Sequence, residues 1–209
     1  MKFKSLLTIV IAALLTLACK TADEKPVFDG CGDIGNVHHE GSISYNEAND
    51  TYTISAAGFN CWGEKDDFYF VWKKVKGDFE ISGDFAFVGD GVNPHRKMGF
   101  MIRETLDTDS RYADVALHGE GLTSLQYRAV KGGETAESTP DVWAPTTLSF
   151  SRNGNTISFR SGKGTLPDTD DTSIEMVFPE ECYVGFFICS HEDDVVETGY
   201  VSNIVLKQK

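Results

Sequence analysis

Residues 97–128 read KMGFMIRETLDTDSRYADVALHGEGLTSLQYR, three alternating runs joined by two short polar turns. Apolar side chains at every second position mark strands half-buried against a core. In the first run Phe100 and Ile102 oppose Met101 and Arg103. In the second, Ala113, Val115 and Leu117 oppose Tyr112, Asp114, Ala116 and His118. In the third, Leu125, Tyr127 and Ala129 oppose Ser124, Gln126 and Arg128. Laid side by side, these strands gather Arg103, Asp114, His118, Gln126 and Arg128 on one face. That face is expected to point outward.

Outward from this stretch the pattern stays β. Residues 42–56 form a strand pair turning at 46–50. Residues 57–67 form a loop carrying Trp62. Phe68, Phe70 and Trp72 then alternate with Tyr69, Val71 and Lys73. Phe79, Ile81, Phe85 and Phe87 form an inward set. Asn153-Gly154-Asn155 is a hairpin turn. Residues 131–145 are a polar loop with one large apolar side chain, Trp143. Residues 183–190 form a nearly continuous apolar strand, and a last strand closes the chain. Beyond the first eighteen residues no window of ten or more shows a helical period. About a dozen short strands predict an all-β, two-sheet antiparallel sandwich.

The start of the chain is different. Lys2 and Lys4 precede an apolar run, residues 6–17, too short to span a bilayer, followed by Ala18-Cys19. Thr16, Leu17 and Ala18 before Cys19 resemble the lipobox of bacterial lipoproteins. That resemblance implies cleavage before Cys19 and acylation of Cys19. The expected organisation is a signal peptide over 1–18, a lipid-anchored tether over 19–27 and one β-sandwich domain over 28–209. The protein is expected in the cell envelope, held to the membrane through its lipid alone.

The formal net charge is −13, and removing Lys2 and Lys4 takes it to −15. Such a surface repels phosphate backbones and excludes nucleic acid as a partner. It also repels uronate or sulfate polysaccharides unless local Arg and Lys overrule the global field. Past Cys19 stand Cys31, Cys61, Cys182 and Cys189, an even number compatible with two disulfides or with buried thiols. Cys182 and Cys189 share one strand and sit about 23 Å apart if extended, too far to bridge. Any bridge therefore joins Cys31 to Cys61, or the N-terminal part to the C-terminal part.

The stretch 99–128 resembles the concanavalin A-like jelly-roll modules of the DUF1349 and β-xylosidase C-terminal type. The likeness extends to Asp33-Ile34-Gly35, to Trp62, Asp67, Phe68, Phe70 and Gly77-Asp78, and to YVGFFICSHEDD at 183–194. It implies a jelly roll that accompanies carbohydrate-active proteins. Planar polar groups offering paired bonds to sugar hydroxyls, with an aromatic ring to stack on, recognise saccharides. Arg103, Asp114, His118, Gln126 and Arg128 supply the former; Tyr112, Trp62 or Trp143 the latter. The expected ligand is a poly- or oligosaccharide, bound without catalysis. Replacing Arg103 and Arg128 by alanine should then abolish glycan retention and leave the melting temperature nearly unchanged. A glycoside-active hydrolase or lyase on the same face is the alternative, and a structural or adhesion lipoprotein the third.

Other clusters argue less. Asp78, Glu80 and Asp84 share a strand face about 7 Å apart, near glycosidase spacing, and read as solvated charges. His38-His39-Glu40 and His191-Glu192-Asp193-Asp194 lack zinc spacing. Asp33 with nearby carbonyls is the weak candidate for calcium, and no cofactor is expected. Nucleophile elbows, phosphate loops and dinucleotide fingerprints are absent from the sequence.

Overall fold

A computed structural model describes residues 28–209. The expected signal peptide, tether and Cys19 lie outside the described residues. Fifteen strands build two antiparallel sheets. The first has the order β1-β5-β14-β7-β8-β9-β10, from β1 (Gly30–Ile34), β5 (Lys65–Lys76), β14 (Glu181–Cys189), β7 (Lys97–Arg103), β8 (Tyr112–His118), β9 (Thr123–Arg128) and β10 (Ala136–Ser138). The short β4 (Asn60–Trp62) folds back on β5. The second has the order β13-β12-β11-β6-β15-β3-β2. Its members are β13 (Thr172–Glu175), β12 (Thr156–Gly162), β11 (Thr147–Asn153), β6 (Phe79–Phe87), β15 (Glu192–Gln208), β3 (Thr51–Gly58) and β2 (Ser42–Asn46).

The core lies between the sheets. Phe100 and Ile102, then Ala113, Val115 and Leu117, then Leu125 meet Ile54, Phe79, Ile81, Phe85 and Phe150 from the opposite sheet. The alternation read in 97–128 therefore picks the right inner face on all three strands.

The other face of the first sheet is not open to solvent, which corrects the expectation of an outward polar surface. Every residue of β7 and β8 is buried. A second apolar cluster, including Ile34, Cys61, Phe68, Phe70, Met101, Tyr112 and Phe187, covers that side. The cause is the segment read as a loop. Trp62 pairs with Lys65 across the two-residue turn Gly63-Glu64, so residues 60–67 form a tight hairpin that folds over the sheet. Gly63 occupies its first position at φ +59°, the conformation that such hairpin turns reserve for glycine. At its entry Gly58 takes φ +123°, and a Cβ there would stand 2.3 Å from the Asp67 carbonyl.

Cys61, Cys182 and Cys189 are buried free thiols, so Cys31 bridges to none of them and the two-disulfide framework is not formed. Asp78, Glu80 and Asp84 are tied down along the second sheet. Gly154 N donates to Asp78, Arg160 to Glu80 at 2.7 Å, and Thr147 and Asn203 to Asp84.

Candidate functional site

The covered face of β7, β8 and β9 is ordered in cross-strand rows. Arg103 pairs with Tyr112 and Tyr112 with Arg128; Met101 with Asp114 and Asp114 with Gln126; Gly99 with Ala116 and Ala116 with Ser124; Lys97 with His118. The arginine end is sealed and the Lys97–His118 end opens to solvent.

At the sealed end one carboxylate serves two guanidinium groups. Asp66, on the hairpin, accepts from Arg128 at 2.7 and 2.9 Å and from Arg103 at 2.8 Å. Arg128 also donates to the carbonyls of Gly63, Ser110 and Gly133, and Arg103 to those of Thr105 and Asp107. Tyr112 lies between the guanidinium groups, its ring centre 5.7 Å from one and 4.9 Å from the other. Its hydroxyl meets Cys61 O and Thr135, and burial pushes it well above the usual phenol range. Arg103, Arg128 and Asp66 are 0% exposed. Three of the residues expected to touch a ligand, Arg103, Arg128 and Tyr112, are thus closed off beneath the hairpin. Arg128 and Tyr112 hold its backbone through the carbonyls of Gly63 and Cys61, and Arg103 holds it through the Asp66 carboxylate.

Asp114 is also enclosed. Burial holds its carboxyl well above the usual carboxylate range, toward the neutral acid; Oδ2 faces the Cys61 thiol at 4.0 Å. Oδ1 has no hydrogen-bond partner.

The open end is a cleft of about 270 Å³ lined by Asn60, Trp62, His95, Lys97, His118, Leu122, Gln126, Glu137 and His191. Of the expected site residues it contains Trp62, His118 and Gln126. Lys97 Nζ donates to Gln126 Oε1 at 3.1 Å and to Cys61 O at 3.0 Å, and Trp62 lays its ring 5.7 Å from Nζ. His118 Nδ1 lies 3.0 Å from the Leu122 carbonyl. A carbonyl only accepts, so Nδ1 carries the proton and Nε2 is left with a lone pair. Burial, then the Lys97 charge, lowers the His118 pKa to about 4. His191, lowered chiefly by burial and further by the Lys97 charge against an opposing backbone hydrogen bond, sits in the left-handed region at φ +62° with Nε2 3.2 Å from the Asn60 amide. The exposed His95 closes the rim, its ring 6.2 Å from His118 and 5.7 Å from His191. Its loop is pinned by the buried Arg96–Glu197 ion pair and by Arg96 donating to Gly89 O.

Aromatic surface surrounds this opening. Trp62 lines it; Phe59 is 55% exposed beside His191; Trp143 is 61% exposed and pairs with the lining residue Leu122. Lys97 shares strand parity with Met101 and Arg103, a signal already in the sequence. Asn60 reaches the cleft from the start of β4, and His95 and His191 from a turn and a bend between strands, and no local pattern announces them. Among the described residues no group of three or more His, Cys, Asp or Glu can hold a metal ion. Asp33 instead accepts from Gly41 N, and His38 pairs with Asp194.

No family model and no curated protein matches the sequence. Among solved structures the chain is similar to a functionally unknown protein from Saccharomyces cerevisiae, with TM-score 0.60 and 15% identity over 80% of this chain and 92% of that one. It is similar to alginate lyase A1-II', with TM-score 0.53 and 8% identity over 80% and 83%. The lectin UEA-II complexed with galactose aligns with TM-score 0.50 and 10% identity over 85% and 96%. At these identities the likeness carries the fold alone, a concanavalin A-like jelly-roll β-sandwich.

Proposed function

We propose that this chain is an exported lipoprotein, acylated at Cys19, whose sandwich is a non-catalytic glycan-binding domain of the DUF1349 and β-xylosidase C-terminal kind. The saccharide occupies the cleft at the Lys97–His118 end. The observation that carries this reading is the joining of planar polar groups to exposed aromatic surface in one concave place. Asn60, His118 and Gln126 offer donors and acceptors to hydroxyls, and Trp62 offers a stacking face. The likeness in fold to a galactose-bound lectin and to an alginate lyase supports the same ligand class. Glu137 is the single carboxylate on the wall, whereas glycoside hydrolysis by paired acids needs two, roughly 5 to 10 Å apart.

Catalysis is the second reading, favoured by the neutral His118 with its free Nε2 in the cleft. A glycan array of the purified protein tests the first reading, and product analysis on each binder separates it from the second. Retention without cleavage is expected. Cleavage of a bound glycan would move the assignment to an enzyme, and no retained glycan would end it. Mass spectrometry of the membrane-extracted N-terminus tests the lipid on Cys19.

A further inference from the structure

The buried cations of the first sheet and its flanks differ in one respect. Arg96 faces Glu197 at 2.5 Å, and Arg103 and Arg128 share Asp66. Lys97 is 2% exposed and, among the described residues, has no carboxylate within ion-pair distance. A buried ammonium without a counter-charge is costly, and proteins rarely keep one without a use for it.

Its neighbours do not supply the missing charge. Burial pushes the Asp114 carboxyl well above the usual carboxylate range against the pull of the Lys97 charge, and the two side chains form no ion pair. Cys61 and Cys189 are thiols raised well above and to about 11 respectively, so both are uncharged. Gln126 and the Cys61 carbonyl take two of the three Nζ protons, and the third finds no acceptor among the described residues. The field of this charge reaches across the cleft, where it contributes to lowering His118 and His191. Lys97 is the one Lys or Arg on the cleft wall, with Glu137 the one carboxylate, inside a chain whose net charge is −13.

We propose that the saccharide held in this cleft carries a carboxylate, which sits on Lys97 Nζ and completes its coordination. The proposal rests on the glycan-binding reading and narrows it from saccharides in general to those containing uronic acid residues. Wedged between Trp62 and the His118–Gln126 wall, the carboxylate would displace water from the ammonium while the sugar ring lies against the indole.

The test is calorimetric titration of the purified protein with uronate oligosaccharides of the gluco, galacto, manno and gulo series, each paired with its carboxyl-reduced form. The reduced sugars keep ring, linkage and length and lack only the charge. At least one uronate is expected to bind tenfold or more tightly than its reduced twin, the fold-change of one charge-assisted hydrogen bond. Lys97→Met is expected to abolish that preference. Since Lys97 also holds Cys61 O, Glu137→Gln provides a variant on an exposed edge strand that leaves the fold alone. Removing its negative charge from the cleft wall is expected to raise the ratio of uronate affinity to reduced-form affinity. Reduced forms that bind as well as the acids would overturn the proposal and leave the glycan-binding reading standing, as would neutral array binders with no uronate among them. No binding by any saccharide would overturn both.

Discussion

Replacing Arg128 by alanine should cost the protein much of its stability. The guanidinium is fully buried and makes two bonds to Asp66, at 2.7 and 2.9 Å, with further bonds to the carbonyls of Gly63, Ser110 and Gly133. Removing one partner of a buried ion pair costs about 3–5 kcal/mol, because the other partner stays behind uncompensated. Each orphaned carbonyl adds roughly 1 kcal/mol or more unless water enters the space. Arg103 keeps part of Asp66 satisfied, and Thr135 still donates to Gly63 O. The net expectation is about 4 kcal/mol, or roughly 10 °C in melting temperature for a domain of this size. Urea unfolding followed by tryptophan fluorescence measures it. A double cycle with Asp66→Leu should give a coupling of about 2 kcal/mol or more. This reverses what an outward-facing arginine implies, namely lost ligand with unchanged stability. A loss below about 1 kcal/mol would refute the buried clamp.

Other outcomes follow from the same geometry. His118 holds its proton only below about 4 in the fold, against 6.5 for the free side chain. The unfolded chain therefore takes up a proton first, and stability is full above 6.5 and falls as pH drops toward 4. His118→Gln should remove about 2 kcal/mol of the loss between pH 7.5 and 5, seen in parallel urea melts. Trp62→Ala should weaken retention of an array-positive glycan about 5- to 30-fold in affinity electrophoresis, one stacking face being worth roughly 1–2 kcal/mol. Cys61, Cys182 and Cys189 are buried, with Cys182 and Cys189 raised to about 11. All three should stay unlabelled by a thiol reagent until the chain unfolds. Gly58→Ala should displace the hairpin, because its Cβ would collide with the Asp67 carbonyl, and amide exchange at residues 60–65 should speed up.

Strand parity made much of this architecture readable. Phe100, Ile102, Val115 and Leu125 announce the inner face, and the same parity groups Arg103, Asp114, His118, Gln126 and Arg128 on the other. What parity cannot say is whether that other face meets water. Polar residues in alternation look alike whether solvent or a charged hairpin covers them, and the deciding residue, Asp66, lies 31 positions before β7 begins. The Gly63-Glu64 turn between Trp62 and Lys65 is a local signal for that hairpin. Its docking over β7–β9 is set by long-range ion pairing that no short window contains. The cleft is harder still, since Asn60, His95 and His191 arrive from three separate segments, one short strand and two connections. Of the residues first grouped as a site, those nearest the open end, His118 and Gln126, remain in it; the arginines became its support.

The most direct measurement is a saccharide titration of the protein followed residue by residue by NMR, using any glycan retained on the array. Shifts are expected to concentrate on Asn60, Trp62, Lys97, His118, Gln126 and His191, with the second sheet unchanged. Shifts centred on β11–β13, or a bound glycan that leaves the cleft residues undisturbed, would contradict it.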